Sequence, residues 1–401
     1  MKNFNTDSQN QLQHESGFNR EIGSILFLSS IFFLSYNGRS ILGPLLPALE
    51  IDLGLSHTES GGLFIFLFTG YLVSLFGSAF SAAVIGHRRT IIVSAVGVGA
   101  ALIAVSGSNS LWALRMGLIV VGLGSGLYPP SGITALTKLA KPAHWGKAIG
   151  IHDVAPNLSI VAVPAIAGIM LNWTSWRAVC FFFGITAILV GLAFVRFGPK
   201  VTGRGQIPNP ATLKLLLGKS SLWIVCILFT LGGAGMVGVY NMLPLYLTSI
   251  HDLSQYSANM IVALSRVPGI GMALVAGLLS DRIGPRKVIA IVLACTGLLN
   301  VIIGIESGTI LITAVFIQAA VATCFFPAGL AALSKLFPFE LRSLAIAVIA
   351  AFSGCVGAGL VSALMGLLAD KGMFSESLIL NGVIVLAGLP ILTFLKFRNQ
   401  S

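Results

Sequence analysis

Charged residues are scarce in this sequence. Only 9% of the 401 residues are Asp, Glu, Lys or Arg, whereas a soluble domain carries roughly 25%. Apolar residues make up 56% of the chain, and the mean hydropathy is +0.93. This composition excludes an ordinary soluble protein and predicts that most of the chain lies in a lipid bilayer.

The motifs of common enzymes are also absent. The sequence contains no HExxH or GxSxG motif and no phosphate-binding loop after a strand, and its six histidines are scattered. The glycine-rich runs 97–100 and 232–240 lie in apolar segments, where glycine lets helices approach closely. We therefore expect neither an enzyme nor a metal site or cofactor. The five cysteines lie in apolar runs and are predicted to be packing residues: Cys180, Cys226, Cys295, Cys324 and Cys355.

Twelve apolar runs of about 20 residues recur along the chain, and each can cross a hydrocarbon core of roughly 30 Å as an α-helix. This pattern predicts an all-α integral membrane protein with twelve transmembrane helices. The predicted spans cover residues 22–49, 60–86, 90–107, 111–137, 147–171, 176–197, 221–248, 257–280, 287–306, 309–336, 342–369 and 375–396.

The net charge of +11 is distributed in a way that indicates membrane topology. With a cytoplasmic N-terminus, Arg177 and Lys371 fall outside the membrane, and Arg39, Arg115 and Arg266 lie within spans. Every other Lys and Arg falls on the cytoplasmic side, as the positive-inside rule requires. The distribution predicts a multi-pass protein of the cell (inner) membrane with both termini cytoplasmic. It gives no reason to expect a nucleic-acid partner.

The longest polar break divides the chain near its middle. Residues 196–220, "RFGPKVTGRGQIPNPATLKLLLGKS", contain three prolines, four glycines and five basic residues. The segments that end in "SAFSAAVIGHRR" and "GLLSDRIGPRK" align when Gly284 is placed on Gly86, which indicates an internal repeat. We predict two pseudo-symmetric six-helix bundles. The predicted regions are an N-terminal tail 1–21, a first bundle 22–197, a linker 198–220, a second bundle 221–396 and a C-terminal tail 397–401.

The motif "GLLSDRIGPRK" resembles the signature loop of the major facilitator superfamily. This resemblance implies a secondary transporter of twelve helices, with a cytoplasmic gate formed by Gly277, Asp281, Arg282, Gly284 and Arg286. Gly277 and Gly284 would allow close helix approach and a tight turn, and Asp281 would pair with a neighbouring cation or a helix N-terminus.

The first half departs from this motif. Ala79 stands in place of the first glycine, Ala83 in place of the acid, and His87 where a basic residue is usual. The equivalent latch of the first half therefore lacks its carboxylate.

Two arginines lie deep within predicted spans. Arg39 precedes Glu50 by 11 residues, about 16 Å, and Arg266 follows Ser257 by nine residues, about 14 Å. A charge at such depth is costly and indicates a water-filled cavity or a binding site. A guanidinium group presents a planar fork of donors that matches a carboxylate, sulfonate or phosphonate. The alternatives are a buried ion pair and snorkelling to the surface.

Both arginines resemble those of organic-anion carriers in the same superfamily. Arg266 is similar to the arginine by which monocarboxylate and oxalate/formate carriers hold the substrate carboxylate. "YNGR" (36–39) resembles the "YxDR" of organic anion:cation symporters, but Gly38 replaces the adjoining acid.

A second cluster, "GIHDVAPNLS" (150–159), contains Asp153 within a predicted span. Asp153 and Asn157 share one helix face, and His152 is able to titrate near neutral pH. These three residues are candidates for proton coupling, and the alternative is a polar network at a helix start. The other polar candidates for substrate binding, each of which could instead satisfy a helix–helix contact, are Tyr36, Arg115, Tyr128, Tyr240, Asn241 and Gln318.

From these observations we expect a monomeric transporter of a small organic anion, driven by H⁺ or Na⁺ and surrounded by membrane lipids. The alternative within the class is proton-coupled efflux of drugs or metabolites. That function is typical of chains with an acid in span 1 or span 4, and this sequence has none there. A receptor or a membrane enzyme would carry a soluble domain or a catalytic cluster.

Overall fold

The computed structural model describes residues 3–205 and 209–395, with side chains from residue 21 onwards except 143, 339, 340 and 343. All regular elements of this part of the chain are helical, and twelve helices are long and apolar enough to cross a membrane. In chain order, spans 1 to 12 are Glu21–Leu53, His57–Ile85, His87–Ser106, Leu111–Leu139, Trp145–Met170, Trp176–Phe197, Ser220–Ser249, Gln255–Ile283, Pro285–Ile305, Gly308–Leu336, Leu344–Ala369 and Phe374–Phe394.

The predicted all-α fold with twelve spans is thus confirmed, and the ends of the spans agree to within about one helical turn. The largest differences lie between spans 1 and 2. Span 2 begins at His57, three residues before the apolar run, because Ser56 and Glu59 form a capping box. Such a box satisfies two backbone N–H groups at a helix start and so extends the helix into polar sequence.

Several spans consist of more than one helical segment. Proline or glycine lies at or near each interruption, where the regular backbone hydrogen bonds are lost. The segments are Asn3–Ser40 and Leu42–Leu53 in span 1; Ser220–Gly233, the π-helix Ala234–Gly238 and Val239–Ser249 in span 7; Gln255–Ser265 and Val267–Ile283 in span 8; Gly308–Thr323 and Phe325–Leu336 in span 10; Phe339–Phe352, the π-helix Ser353–Leu360 and Val361–Ala369 in span 11; and Phe374–Ala387 with the 3₁₀ helix Leu389–Phe394 in span 12.

Two short helices lie outside the spans. A 3₁₀ helix, Pro142–His144, precedes span 5, and an α-helix, Pro210–Leu217, lies within the predicted linker. Asn209 caps the second helix by accepting a hydrogen bond from the N–H of Ala211. The predicted C-terminal tail, 397–401, and the side chains of residues 1–20 lie outside the described part of the chain.

The predicted repeat is visible in the backbone. Gly86 (φ 83°, ψ 157°) and Gly284 (φ 87°, ψ 145°) each separate two spans by a single residue, spans 2 and 3 in one case and spans 8 and 9 in the other. Positive φ is the conformation that glycine adopts without strain. The two glycines therefore occupy equivalent turns in the two halves of the chain.

The cysteines and the glycine-rich runs serve helix packing, as predicted. All five cysteines are free thiols, and Cys180, Cys226 and Cys324 are buried. A Cβ atom on Gly99 would lie 2.5 Å from the carbonyl oxygen of Gly184, so spans 3 and 6 approach closely at this point.

The spans alternate between two faces of the molecule. We call the face at which Glu21 and Phe394 lie the terminal face, and the opposite one, with loops 54–56, 107–110, 171–175, 250–254, 306–307 and 370–373, the distal face. Most helix packing occurs among spans 1–6 or among spans 7–12.

Contacts between these two sets of spans lie mainly towards the distal face. Spans 1 and 7, spans 2 and 11, and spans 5 and 8 meet there. A Cβ on Gly61 would lie 2.4 Å from the carbonyl oxygen of Ser362, and one on Gly366 would lie 2.1 Å from that of His57. In the described residues, the terminal-side segments Val267–Ile283 and Phe325–Leu336 pack chiefly against their own half. The molecule is thus closed at the distal face and open between the halves towards the terminal face.

Candidate functional site

Arg39 lies at the interruption of span 1, where the first helical segment ends at Ser40. Its guanidinium carbon is 4.2 Å from the ring centre of Tyr36 and 4.2 Å from that of Tyr71 in span 2. The Nε atom is buried and has no hydrogen-bond partner. The guanidinium group of Arg39 therefore lies against two aromatic rings, and its Nε–H donor has no acceptor.

Arg266 lies at the interruption of span 8, between the segments Gln255–Ser265 and Val267–Ile283. It is 6% exposed, and its guanidinium carbon is 3.5 Å from the ring centre of Tyr240 in span 7. The hydroxyl of Tyr240 donates to the carbonyl of Val315 (2.8 Å), which fixes the ring beneath the cation. The Nη1 atom of Arg266 is buried without a hydrogen-bond partner.

Proline explains why both spans break at these points. Pro44 and Pro268 have no N–H to donate to the carbonyls of Ser40 and Leu264, four residues earlier. In helical transporters, interrupted helices of this kind border the substrate site. Local sequence thus positions both arginines at helix breaks near the middle of their spans.

The two arginines are held in the same way in opposite halves of the molecule. Arg39 lies against the rings of Tyr36 and Tyr71, and Arg266 lies against the ring of Tyr240. Among the described residues, no carboxylate lies within 4.0 Å of either arginine. Aromatic faces stabilise each buried cation by about 2 kcal/mol, but they supply no acceptor for the N–H groups. The arrangement is suited to bind an anion between the halves of the molecule.

Asn241 and Gln318 are used in helix packing. Asn241 donates to the hydroxyl of Ser362 (3.1 Å), which ties span 7 to span 11. Gln318 is fully buried and donates to the carbonyl of Gly235 (2.7 Å) and to the side chain of Asn300 (3.0 Å). These bonds use the amide nitrogens of both side chains in helix packing around the π-helix of span 7, whereas Oε1 of Gln318 is buried without a partner.

Arg115 also lies apart from Arg39 and Arg266. Its guanidinium carbon is 5.2 Å from the ring centre of Phe66 and 5.0 Å from that of Trp112, which is 65% exposed. Arg115 follows the start of span 4 at the distal face by four residues. This position permits snorkelling towards the membrane surface.

The predicted coupling residues lie along one side of span 5. His152 is fully buried and bonds the hydroxyl of Tyr128 through Nε2 (2.9 Å). Its Nδ1 lies 3.5 Å from the carboxylate of Asp153, whose side chain is 57% exposed. The amide of Asn157 donates to the backbone carbonyl of Asp153 (2.8 Å). Tyr128 is therefore a partner of His152. It is not among the rings that contact Arg39 or Arg266.

The predicted gate loop needs a correction. A Cβ on Gly277 would meet no atom within 4 Å, so this glycine does not permit a close helix approach in this conformation. Asp281, Arg282 and Arg286 are exposed, and no ion pair to Asp281 occurs among the described side chains. The physical reason is that the two halves are apart at the terminal face, where these contacts would form.

Tyr71 and Asn37 are two further residues near Arg39 that the sequence pattern does not single out. Tyr71 is a lone tyrosine in an apolar run, a signal shared by many packing residues, and its ring contacts the guanidinium of Arg39. Asn37 is fully buried and accepts from Ser159 (2.7 Å), which bonds Ser40 (3.0 Å). Position 38, where the symporter motif has an acid, is a glycine in this chain for a steric reason. A Cβ there would lie 3.0 Å from atoms of spans 3 and 4.

The fold and site define the class of protein: a multi-pass helical membrane transporter with a polar site between two bundles. The sequence profile of the Major Facilitator Superfamily matches residues 28–277 and 253–401. The chain belongs to this superfamily of secondary transporters.

Relatives of known name have varied activities. A multidrug efflux protein, YfmO of Bacillus subtilis, is 23% identical over 96% of each chain. A probable nitrate/nitrite transporter, NarK2 of Mycobacterium tuberculosis, is 27% identical over 68% of this chain and 69% of its own. A probable hexose phosphate transport protein of Chlamydia trachomatis is 24% identical over 65% of this chain and 64% of its own. A tetracenomycin C resistance and export protein of Streptomyces glaucescens is 29% identical over 37% of this chain and 28% of its own.

The chain thus spans less than two thirds of the length of the Chlamydia and Streptomyces relatives. Among solved structures, a bacterial homolog to the human lysosomal transporter Spinster, inward-facing and occupied, superposes with a TM-score of 0.77 at 15% identity and covers 92% of this chain and 96% of its own. The nucleoside transporter NupG superposes with a TM-score of 0.79 at 12% identity, covering 92% of this chain and 99% of its own. At these identities the likeness concerns the fold alone.

Proposed function

We propose that this chain is a secondary active transporter that moves a small, carboxylate-like organic anion across the cytoplasmic membrane by alternating access. One observation carries the proposal: two guanidinium groups, Arg39 at the break of span 1 and Arg266 at the break of span 8, lie against aromatic rings with no carboxylate within 4.0 Å among the described residues. Arg266 is buried and Arg39 is half-buried, so leaving both without a carboxylate partner is costly. A substrate anion between the halves supplies the missing charge and the missing acceptors.

The alternating-access part of the proposal is supported by the packing of the two halves. The distal contacts between spans 2 and 11 are tight, and the terminal-side segments of spans 8 and 10 have no equivalent partners in the described first half. A site near the membrane middle is then reachable from one face only. A change to a conformation that is closed at the terminal face and open at the distal face would carry a bound anion across the membrane.

The substrate class is tested by comparing anions with lipophilic cations. Thermal-shift measurements on the purified protein should show stabilisation by small carboxylates, sulfonates or phosphonates, because ligands that bind only the folded state raise its melting temperature. Stabilisation by lipophilic cations alone would favour the efflux function that the name of the Bacillus relative suggests. That result would replace the anion proposal.

The role of the arginines is tested by pairing two measurements on the same variants. Arg39→Ala and Arg266→Ala should abolish anion binding and leave a folded, monodisperse protein. The melting temperature without ligand should stay the same or rise, since each change removes an uncompensated buried charge. Arg115→Ala is the matched control and should keep anion affinity, because Arg115 lies near the distal surface.

A purely structural role of the arginines predicts the opposite pair of results. Arg39→Ala and Arg266→Ala would then lower the melting temperature without ligand and keep the wild-type anion affinity. That outcome would show that the cluster is not a binding site.

The orientation of the chain follows from its basic residues and is part of the proposal. The terminal face is expected to be cytoplasmic. A cysteine at Ser254, exposed in a distal loop, should react with a membrane-impermeant maleimide on intact cells. A cysteine at Thr202, exposed at the terminal face, should react only after permeabilisation. The reverse pattern would overturn the orientation.

A further inference from the structure

Three aromatic rings form a stack between spans 1, 4 and 5. The ring of His152 lies against Phe32 with centroids 4.6 Å apart and an interplanar angle of 13°. The ring of Tyr128 lies against the same Phe32 at 5.1 Å and 16°. The rings of Tyr128 and His152 are nearly parallel (11°), and both are fully buried. The stack fixes the orientation of the imidazole, and therefore the direction in which each of its nitrogens points.

The hydrogen bonds of Tyr128 determine which nitrogen of neutral His152 carries the proton. The phenol donates its only proton to the backbone carbonyl of Leu28 (2.7 Å), since a carbonyl oxygen can only accept. The 2.9 Å contact between the phenol oxygen and Nε2 of His152 then requires Nε2 to be the donor. Neutral His152 is accordingly the Nε2–H tautomer, and its Nδ1 carries a lone pair.

That lone pair faces Asp153. Nδ1 of His152 lies 3.5 Å from Oδ1 of the carboxylate, and both atoms are acceptors in the absence of a further proton. A proton on Nδ1 turns this repulsive contact into a charge-assisted hydrogen bond. The carboxylate of Asp153 is exposed, whereas the imidazole of His152 is fully buried. The pair thus provides a buried proton acceptor beside an exposed carboxylate.

The described groups that face this pair come from two other spans. Span 4 contributes Tyr128, and span 1 contributes Phe32 and the carbonyl of Leu28. Spans 6 and 8 also pack against span 5, but none of their described titratable side chains forms an ion pair or hydrogen bond with His152 or Asp153. The direct titratable partners of His152 among the described residues are therefore one phenol and one carboxylate.

The cluster is in physical contact with the arginine site. Phe32 packs edge-on against Tyr36 at 6.4 Å, and Tyr36 stacks on Arg39. On the same side of span 5, Ser159 bonds Asn37 and Ser40, the neighbours of Arg39. A change of charge at His152 thus has a short route to the anion site through the rings of Phe32 and Tyr36.

We propose that His152 and Asp153 bind one proton from the open cleft, with Nδ1 of His152 as the acceptor, and that this proton is the coupling ion of transport. The proposal rests on the function proposed above. The proton is held between Nδ1 and the carboxylate of Asp153, while Nε2–H stays bonded to Tyr128. Anion and proton then cross together.

The first test measures the proton itself and needs no substrate. Nitrogen-15 NMR of the histidine-labelled full chain distinguishes the two tautomers and the doubly protonated form. The chain has six histidines, so the spectrum of His152→Gln identifies the signal of His152. At about pH 8 we expect a proton on Nε2 alone, and on lowering the pH to about 5 a second proton on Nδ1.

A matched variant sharpens this measurement. Tyr128→Phe keeps the stacked ring and removes the acceptor of Nε2–H, so the neutral form should lose its preference for that tautomer. A neutral His152 protonated on Nδ1, or one that gains no proton between about pH 8 and 5, overturns the proposal.

The second test concerns coupling. In proteoliposomes, with lactate, succinate and benzoate as probe anions, an imposed pH gradient should drive accumulation by the wild type. His152→Gln and Asp153→Asn should lose this accumulation and retain anion exchange between the two sides. His251→Gln, in a distal loop away from the cluster, is the control and should accumulate the probes like the wild type.

The two tests separate the failure of this proposal from the failure of the proposed function. Normal pH-driven accumulation by His152→Gln would show that the proton on His152 is not the coupling ion. If the wild type neither binds nor moves any of the three probes, anion transport has failed, and the NMR result alone decides whether His152 binds the proton.

Discussion

Charged side chains at the centre of the molecule and at its distal rim have different kinds of partner. By distal rim we mean Glu50, Asp52, His57, Arg177 and Asp370. On the rim, Arg177 pairs with Asp52 and also donates to the carbonyl of Ser108 (3.1 Å) and the side chain of Asn109 (3.0 Å). His57 bonds Glu50 (2.9 Å). Every charge on the rim therefore has a partner within the chain.

At the centre, Arg39 and Arg266 have aromatic neighbours in place of carboxylates. Water can solvate the rim, so its ion pairs are inexpensive and contribute little individually. The centre is more buried, and its unpaired charges are therefore more costly. The comparison teaches that partners within the chain close the rim, whereas the centre retains binding capacity for a ligand.

The largest expected effect is at the centre. Arg266→Lys keeps the charge and loses the planar fork, so it is not a conservative change at an anion site. Loss of one charge-assisted hydrogen bond costs roughly 1.5–3 kcal/mol, which corresponds to about a 10- to 150-fold loss of anion affinity. Calorimetric titration with a stabilising carboxylate measures this loss of affinity. Arg177→Lys on the rim is the control. Equal losses of anion affinity in both variants would contradict the difference between the centre and the rim.

The second prediction concerns the closure of the distal face. Gly61→Ala places a Cβ 2.4 Å from the carbonyl of Ser362 across the two halves, whereas Gly62→Ala meets no atom within 4 Å. Overpacking costs about 1–3 kcal/mol, so Gly61→Ala should shift the population towards a distal-open state by about 5- to 150-fold.

Spin labels on cysteines at Asn172 and Ser307, exposed in distal loops of the two halves, report this shift as a longer distance. The adjacent variant Gly62→Ala is the control and should keep the wild-type distance. The same distance in both variants would mean that the glycine contact does not hold the face closed.

The third prediction tests a single rim carboxylate. Asp370, after span 11, accepts hydrogen bonds from the backbone N–H groups of His57 and Thr58 at the start of span 2 (both 2.9 Å). Loss of such a cap costs about 0.5–2 kcal/mol, so Asp370→Ala should favour the distal-open state by about 2- to 30-fold. Asp252→Ala, in another distal loop, is the control. The spin-label distance again gives the result.

The smallest effect is that of pH on this cap. Burial alone raises the pKa of Asp370, but hydrogen bonds from Thr58, His57 and Ser56 outweigh it and hold the pKa below its ordinary value. A lowered pKa means that the cap contributes fully above the ordinary value of about 3.9 and is lost as the pH falls through the lower value. Spin-label distances in His152→Gln, which lacks the proposed proton site, should therefore not change between about pH 8 and 5. Opening within that range would contradict this account of Asp370.

Much of the fold could be predicted from the sequence. Hydrophobic length gave the twelve spans, and the spacing of Gly86 and Gly284 gave the repeat, because a single residue joining two antiparallel helices requires positive φ. The depth of Arg39 and Arg266 could also be predicted, since 1.5 Å per residue converts position into height. These properties depend on local composition and on counting along the chain.

Only the tertiary structure decided which way the polar side chains face. A membrane helix is apolar on all sides, so its sequence gives little information about its rotation, unlike that of an amphipathic helix in water. In the structure, Gln318 bonds a neighbouring helix, Tyr71 contacts Arg39, and Tyr128 bonds His152. It also left Asp281 exposed, because the conformation closed at the distal face separates the halves at the terminal face. The sequence determines where each residue lies along its helix, and the packing of the helices determines which residues meet.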